Sequence, residues 1–218
     1  MPGAGEADRP FRVALTFDAE HADRPARPGN DERLLDALES ADVRATFFVQ
    51  GRWAEAYPAV ARRIADDGHL VGSHTHYHAR LPLLSEVGLV ADIRAAEDII
   101  RDLVGVDPRP WIRAPFGAGA GDDALIERLD ALGYRHVGWN VNAEDWDPIN
   151  PCEAVERAVV EAAVVRGDGS VVLMHTWPDP TYEALPTIVA RLAQLGATFV
   201  SVAELPEPPI GVPADDPE

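Results

Sequence analysis

The chain contains no lysine: all 19 of its cationic side chains are arginines, set against 37 carboxylates in 218 residues, for a formal net charge of −18. A field of that sign disfavours nucleic acid and anionic membrane surfaces, whose phosphates need the opposite charge. The missing lysine itself carries no functional weight. There is one cysteine, Cys152, so no internal disulfide can form and cysteine usage gives no sign of an oxidising compartment. No apolar run approaches the roughly 18 residues that mark a membrane-spanning helix. Residues 1–10 lack the basic patch and apolar stretch of a secretory signal. The chain is therefore expected in the cytoplasm if it starts where it is written, or outside the cell if it is a processed form.

What is present is ordinary for a soluble globular protein: 46% hydrophobic and 26% charged residues. At this length one domain is expected, burying roughly 70% of the surface of its unfolded chain. The expected division is an N-terminal extension over 1–10, one catalytic domain over 11–205 and a solvated Pro- and acid-rich tail over 206–218.

Short apolar, β-branched runs at 11–17, 43–49, 69–73, 111–113, 134–141, 170–175 and 198–202 alternate with longer amphipathic stretches. That alternation predicts an α/β fold with a mainly parallel sheet. Gly68, Gly133 and Gly196 stand where helices should end in a left-handed residue before the next strand. Asn150 followed by Pro151 predicts a helix start, with the asparagine as cap and the proline at the first helical position. Leu185, Ile188, Val189, Leu192 and Leu195 recur at three and four residues and predict a last helix laid on the sheet. A barrel and a doubly wound sheet fit this pattern equally.

In a parallel βα fold, chemistry collects where strands end, and four strand ends are loaded. The first reads Asp18-Ala19-Glu20-His21, two carboxylates and an imidazole directly after an apolar run. The third reads His74-Thr75-His76-Tyr77-His78, three of the seven histidines within five residues. His74 and His78 are four apart and share a face of either a strand or a helix, which is half of a zinc site. The fourth ends in Arg113 before a Pro-Phe-Gly loop, and the sixth, an apolar run that should be buried on both faces, ends in His175.

Taken in order, these segments resemble the polysaccharide deacetylases, the fourth family of carbohydrate esterases, from about residue 11 to residue 205. The family pattern T-F-D-D-G is matched by Thr16 to Glu20, H-[ST]-x-x-H by His74 to His78, and R-x-P-x-G by Arg113 to Gly117. D-x-x-D-W is matched by Asn142 to Trp146 and L-x-H by Leu173 to His175. The resemblance implies a distorted (β/α)7 barrel, an acetylated carbohydrate as substrate and one divalent metal, usually zinc, with cobalt, manganese or nickel as alternatives. It implies Asp18 as general base, His74 and His78 as metal ligands, Arg113 as orienter of the base and His175 as general acid. Trp146 and Leu173 would wall the pocket, and the backbone N–H of Phe116 would face the oxyanion.

The chain departs from the family pattern at two positions. The metal-binding aspartate falls on Ala19, so Glu20 is assigned as third ligand, with His21 and Asp18 as the alternatives. The first aspartate of the fourth pattern is Asn142, so the charge that tunes the acid histidine must come from elsewhere, with Asp145 the candidate; both residues are expected in the substrate-binding region. Three readings follow: a metal-dependent deacetylase of an N-acetyl sugar or O-acetylated polysaccharide, a C–N hydrolase of small amides on the same scaffold, or a non-catalytic relative that binds metal or sugar. Ala19 argues for the last; the retained Asp18, Arg113 and His175 argue against it.

Overall fold

A computed structural model describes residues 10–21 and 27–212 of the chain. Its centre is β1 (Phe11–Ala19), which pairs in parallel with β2 (Thr46–Val49), with β7 (Ser170–His175) and, at its start, with β8 (Ala197–Phe199). With β3 (Leu70–Ser73), β4 (Trp111–Ile112), β5 (Arg135–His136) and β6 (Val141–Asn142), the sheet runs β5-β4-β3-β2-β1-β7-β6, and β8 branches from β1. Every pairing is parallel, and the sheet curls into the distorted barrel that the family resemblance implies.

The period of two along each strand sorts the side chains into two layers. In β1, Val13, Leu15, Phe17 and Ala19 face an outer core, shared with helices α1 (Asn30–Ser40), α3 (Pro58–Asp66), α6 (Cys152–Arg166) and α7 (Asp179–Gln194). The alternate residue Ala14 faces the barrel interior, where it packs with Phe48, Val171 and Leu173. Thr16 and Asp18 continue that inner face. The interior is therefore apolar below and polar above, and Thr16 is satisfied there by donating to the Val172 carbonyl at 2.6 Å.

Several local expectations need correction. The run at 134–141 is not one strand: it divides into β5 and β6, which do not pair with each other. Residues 137–140 cross the seam instead, with Val137 N donating to Ile112 O at 2.8 Å and Asn140 N to Val171 O at 3.1 Å. Gly138 marks the break, because its N–H donates to Pro209 O at 2.7 Å and a Cβ on it would sit 1.9 Å from the Gly211 carbonyl oxygen. The tail accordingly begins exposed at Pro206 and Glu207, as expected, but is then held against the fold. The chain at 209–212 lies along the seam, Ile210 O accepts from His136 Nδ1 at 2.8 Å, and Val212 packs on the interior cluster. Residues 1–9 and 213–218 lie outside the described part.

Helix α6 starts at Cys152, not at Pro151, which is the extended residue preceding it. Asn150 does not cap it; its amide donates to Glu144 O at 2.9 Å and ties down the loop after β6. In α7 the stripe from Leu185 to Leu192 is buried as expected, whereas Leu195 lies beyond the helix end and is exposed. No described helix is long and apolar enough to cross a membrane.

Because the backbone at 210–211 passes directly against Gly138, Gly138→Ala should cost about 1–3 kcal/mol, the usual range for forcing one extra carbon into a packed site. Gly121→Ala, where a Cβ meets nothing within 4 Å, should change stability little. Urea unfolding of both variants checks this; equal stabilities would show that the seam yields freely.

Candidate active site

The site is built at the carboxyl ends of the strands. Asp18 is the register partner of His175 across β1 and β7, so base and acid candidates stand side by side. Glu20, two residues past Asp18, keeps to the same face just beyond the strand end, while Ala19 is fully buried in the outer core. The two-residue spacing therefore delivers two carboxylates to the site and leaves no place there for the residue between them.

Arg113 follows β4 and is fully buried. Its Nη1 donates to Asp18 Oδ1 at 2.8 Å, its Nε to Val137 O at 3.2 Å and its Nη2 to Gly138 O at 3.1 Å. The guanidinium also lies 4.2 Å over the Phe48 ring. Each of the three guanidinium nitrogens thus makes a hydrogen bond, and one of the bonds is to a countercharge, as a buried cation needs. With Oδ1 held, Asp18 Oδ2 is the oxygen facing the imidazoles, 3.6 Å from His74 Nε2.

Glu20, His74 and His78 offer ligand atoms that all lie within 4.8 Å of one another. Glu20 Oε2 is 3.1 Å from His74 Nε2 and in direct contact with His78 Nε2. His74 Nδ1 bonds the Arg113 carbonyl at 2.9 Å, which fixes the ring and assigns its other nitrogen to the cluster, the outer arrangement typical of metal-ligating imidazoles. Burial alone would raise the Glu20 carboxyl, but hydrogen bonds from His21, His74 and His78 outweigh it and hold the group well below the usual carboxylate range. The set thus offers one ionised carboxylate and two imidazoles, a donor set that fits a divalent metal of the zinc type with a position left open.

The two histidines do not meet by strand or helix periodicity. Thr75 and His78 both adopt left-handed backbone, at φ 62° and 59°, and His78 N donates to Thr75 Oγ1 at 3.2 Å. A side chain-braced turn brings the imidazoles together. His76 points the other way, buried against Gly51, where an added Cβ would come 2.3 Å from its Nδ1.

His175 Nδ1 lies 2.8 Å from Asp145 Oδ1, and Asp145 Oδ2 accepts from His175 N at 2.7 Å and from Thr181 Oγ1. Burial opposes the imidazolium, yet the charge of Asp145 and its hydrogen bond prevail and push His175 up to about 9. Asp145, 1% exposed, is therefore the partner of His175 and does not line the cavity. Asn142 Oδ1 instead accepts from Glu144 N at 2.9 Å and shapes the loop.

A cavity of about 300 Å³ opens over these groups, and Phe116, Asn142, Trp146 and Leu173 line it as expected. Trp139, Trp177 and Arg80 also line it and were not foreseen. Trp177 follows His175 by two residues, so the strand-end rule that found the histidine reaches it too. Trp139 sits in the broken run whose split only the structure reveals. Arg80 lies 4.4 Å over the Phe116 ring, which itself packs edge-on against His78. His21, the alternative ligand, is outside the cluster of ligand atoms and bonds Glu20 instead.

The family profile described as polysaccharide deacetylase matches residues 5–137. A peptidoglycan-N-acetylglucosamine deacetylase of Bacillus cereus is 31% identical over 197 residues, 88% of this chain and 67% of that one. The peptidoglycan-N-acetylmuramic acid deacetylase PdaC of Bacillus subtilis is 32% identical over 196 residues, 89% of this chain but 38% of the relative, so the chain spans well under half of that protein. Among solved structures, T48 deacetylase with substrate superposes with a TM-score of 0.77 at 33% identity, covering 94% of this chain and 96% of that one. BA3943 from Bacillus anthracis, described as a pseudoenzyme of the same esterase family, superposes at 0.80 with 26% identity, over 90% of this chain and 65% of its own. With a profile match over more than half its length and the two carboxylates at the end of β1 facing one cavity with His74, His78 and His175, the chain belongs to the polysaccharide deacetylases, hydrolases of the carbohydrate esterase class.

Proposed function

We propose that the chain hydrolyses the N-acetyl groups of peptidoglycan amino sugars. The observation that carries this reading is that three assemblies face one cavity: Asp18 with Arg113, His175 with Asp145, and Glu20 with His74 and His78. The relatives named above suggest the substrate, as glucosamine or muramic acid units.

Glu20, His74 and His78 would hold a divalent ion, zinc by the preference of two imidazoles and one carboxylate, and such an ion polarises a carbonyl and acidifies water. Asp18, fixed through Oδ1 by Arg113, would accept the proton of the attacking water at Oδ2. The N–H of Phe116, at a left-handed turn with φ 61°, is the candidate donor to the oxyanion. His175, fixed through Nδ1 by Asp145, would deliver its Nε2 proton to the departing amine, which leaves as the amino sugar while the acyl carbon leaves as acetate. Phe116, Trp146 and Trp177 give the sugar apolar faces to lie against.

A non-catalytic role has the pseudoenzyme neighbour in its favour, but such a role would give no use to a base and an acid each locked by its own countercharge. Acetate release from peptidoglycan fragments, chitooligosaccharides and acetylxylan, after chelation and after zinc is restored, decides between them. No release from any of these with the metal bound would overturn the enzymatic reading.

Three variants test the roles. His78→Ala or Glu20→Ala should lose most bound metal, read by metal analysis, and full occupancy in Glu20→Ala would remove Glu20 from the site. Asp18→Asn should keep the metal and lose roughly 10²-fold or more in kcat, the usual worth of a positioned base; loss of metal instead would make Asp18 a ligand.

Asp145→Asn keeps the shape and removes the charge that favours the imidazolium. A general acid works only while protonated, so the alkaline limb of kcat/KM against pH should move to lower pH in this variant. In the parent a bound cation opposes Asp145, so that limb should lie at or below about 9. An unmoved limb would show that Asp145 does not set the acid.

A further inference from the structure

We infer that His21 is a positioning residue that turns Glu20 into a metal ligand, by donating from Nε2 to Glu20 Oε1 and leaving Oε2 to face His74 and His78. The inference rests on the reading that Glu20, His74 and His78 hold a divalent ion.

The two oxygens of Glu20 have separate surroundings. Oε2 contacts both ligating imidazoles, whereas Oε1 lies 2.8 Å from His21 Nε2 and 3.9 Å from His175 Nε2. Among the described residues, the other ion-pair contact of Oε1 is with His175, the proposed acid, whose Nε2 must stay free for the leaving group. A bond to His21 therefore does two things: it fixes which oxygen faces the metal position, and it keeps the carboxylate off His175.

The need for such a holder follows from the substitution that this chain carries. With Ala19 in the outer core, the ligand comes from one residue further on and from a side chain with one more rotor to freeze than aspartate has. Glu20 also lies past the last residue of β1, where no ladder bond restrains it. His21 is itself well restrained. Its backbone N donates to Gln50 Oε1 at 3.0 Å, its φ is 59°, and its ring meets His78 edge-on at 4.8 Å and Trp177 at 6.1 Å. It is the imidazole next to the ligand set and outside it, which is where a carboxylate ligand's orienting partner belongs.

The test is zinc affinity, measured by competition with a chromophoric chelator, for the parent, His21→Ala and His21→Gln. Loss of an orienting partner commonly costs 10–100-fold in metal affinity, and His21→Ala should fall in that range. His21→Gln, whose amide can donate to Oε1, should recover most of it, and the cobalt-loaded forms of parent and His21→Gln should have superposable visible spectra because the ligand set is unchanged. Unchanged affinity in His21→Ala would overturn the inference. So would a His21→Gln variant as weak as His21→Ala with an altered cobalt spectrum, which would make His21 a direct ligand. A parent chain that binds no zinc would instead fail the metal-site reading itself.

Discussion

The buried ion pair between Arg113 and Asp18 is the contact on which the rest of the site depends. Two charges inside a barrel are costly unless they are paired and hydrogen-bonded, and here each nitrogen of the guanidinium donates to a different part of the chain. Arg113 fixes Asp18 on β1, it donates to the carbonyls of Val137 and Gly138, and its own carbonyl holds Nδ1 of His74. The proposed base, a proposed metal ligand and the barrel seam are thus tied to one residue. Removing it would leave a buried carboxylate without its countercharge, two interior carbonyls without donors and the seam without its inner brace.

That coupling explains why a chain with such short strands at its sheet ends keeps a defined interior. β4, β5 and β6 contribute two residues each, too few for ladder bonds alone to set their position. Position comes instead from the arginine and the 209–212 segment, which both bond residues 137–138. Gly72 serves the same end lower in the barrel: a Cβ there would come 2.8 Å from the Phe48 ring on which the guanidinium lies.

Much of this was legible in the sequence, for reasons that can be named. The long apolar strands and the strand-end residues declare themselves because burial and chemistry both act on residue type: Asp18, Glu20, His74, His78, Arg113 and His175 meet where expected. What stayed hidden depends on contacts between residues distant in the chain. Gly138 breaks a run that reads as one strand, because residues 209–211 pass against it. Asn150 and Pro151 form a plausible helix start, but Asn150 is drawn to Glu144 by the loop that carries Asp145. Asn142 puts an amide where the family pattern has a carboxylate, and spacing alone cannot show that Asp145, three residues on, takes its place beside His175; Thr181, on a helix more than thirty residues away, helps to fix it there by bonding Asp145.

The chemistry finally turns on how register partners acquire opposite duties. Asp18 and His175 stand next to each other across two strands, and groups so close would ordinarily neutralise one another as a simple pair. Each is instead claimed from its far side, Asp18 by Arg113 and His175 by Asp145, at 2.8 Å in both cases. Asp18 keeps Oδ2 and His175 keeps Nε2 for the cavity, the arrangement that the proposed base and acid roles require. Holding neighbouring groups by separate outer partners is one means by which a protein can give them different duties at the same pH. Here it needs only that β1 and β7 pair in this register and that β4 and the loop after β6 each bring one countercharge to the same end of the barrel.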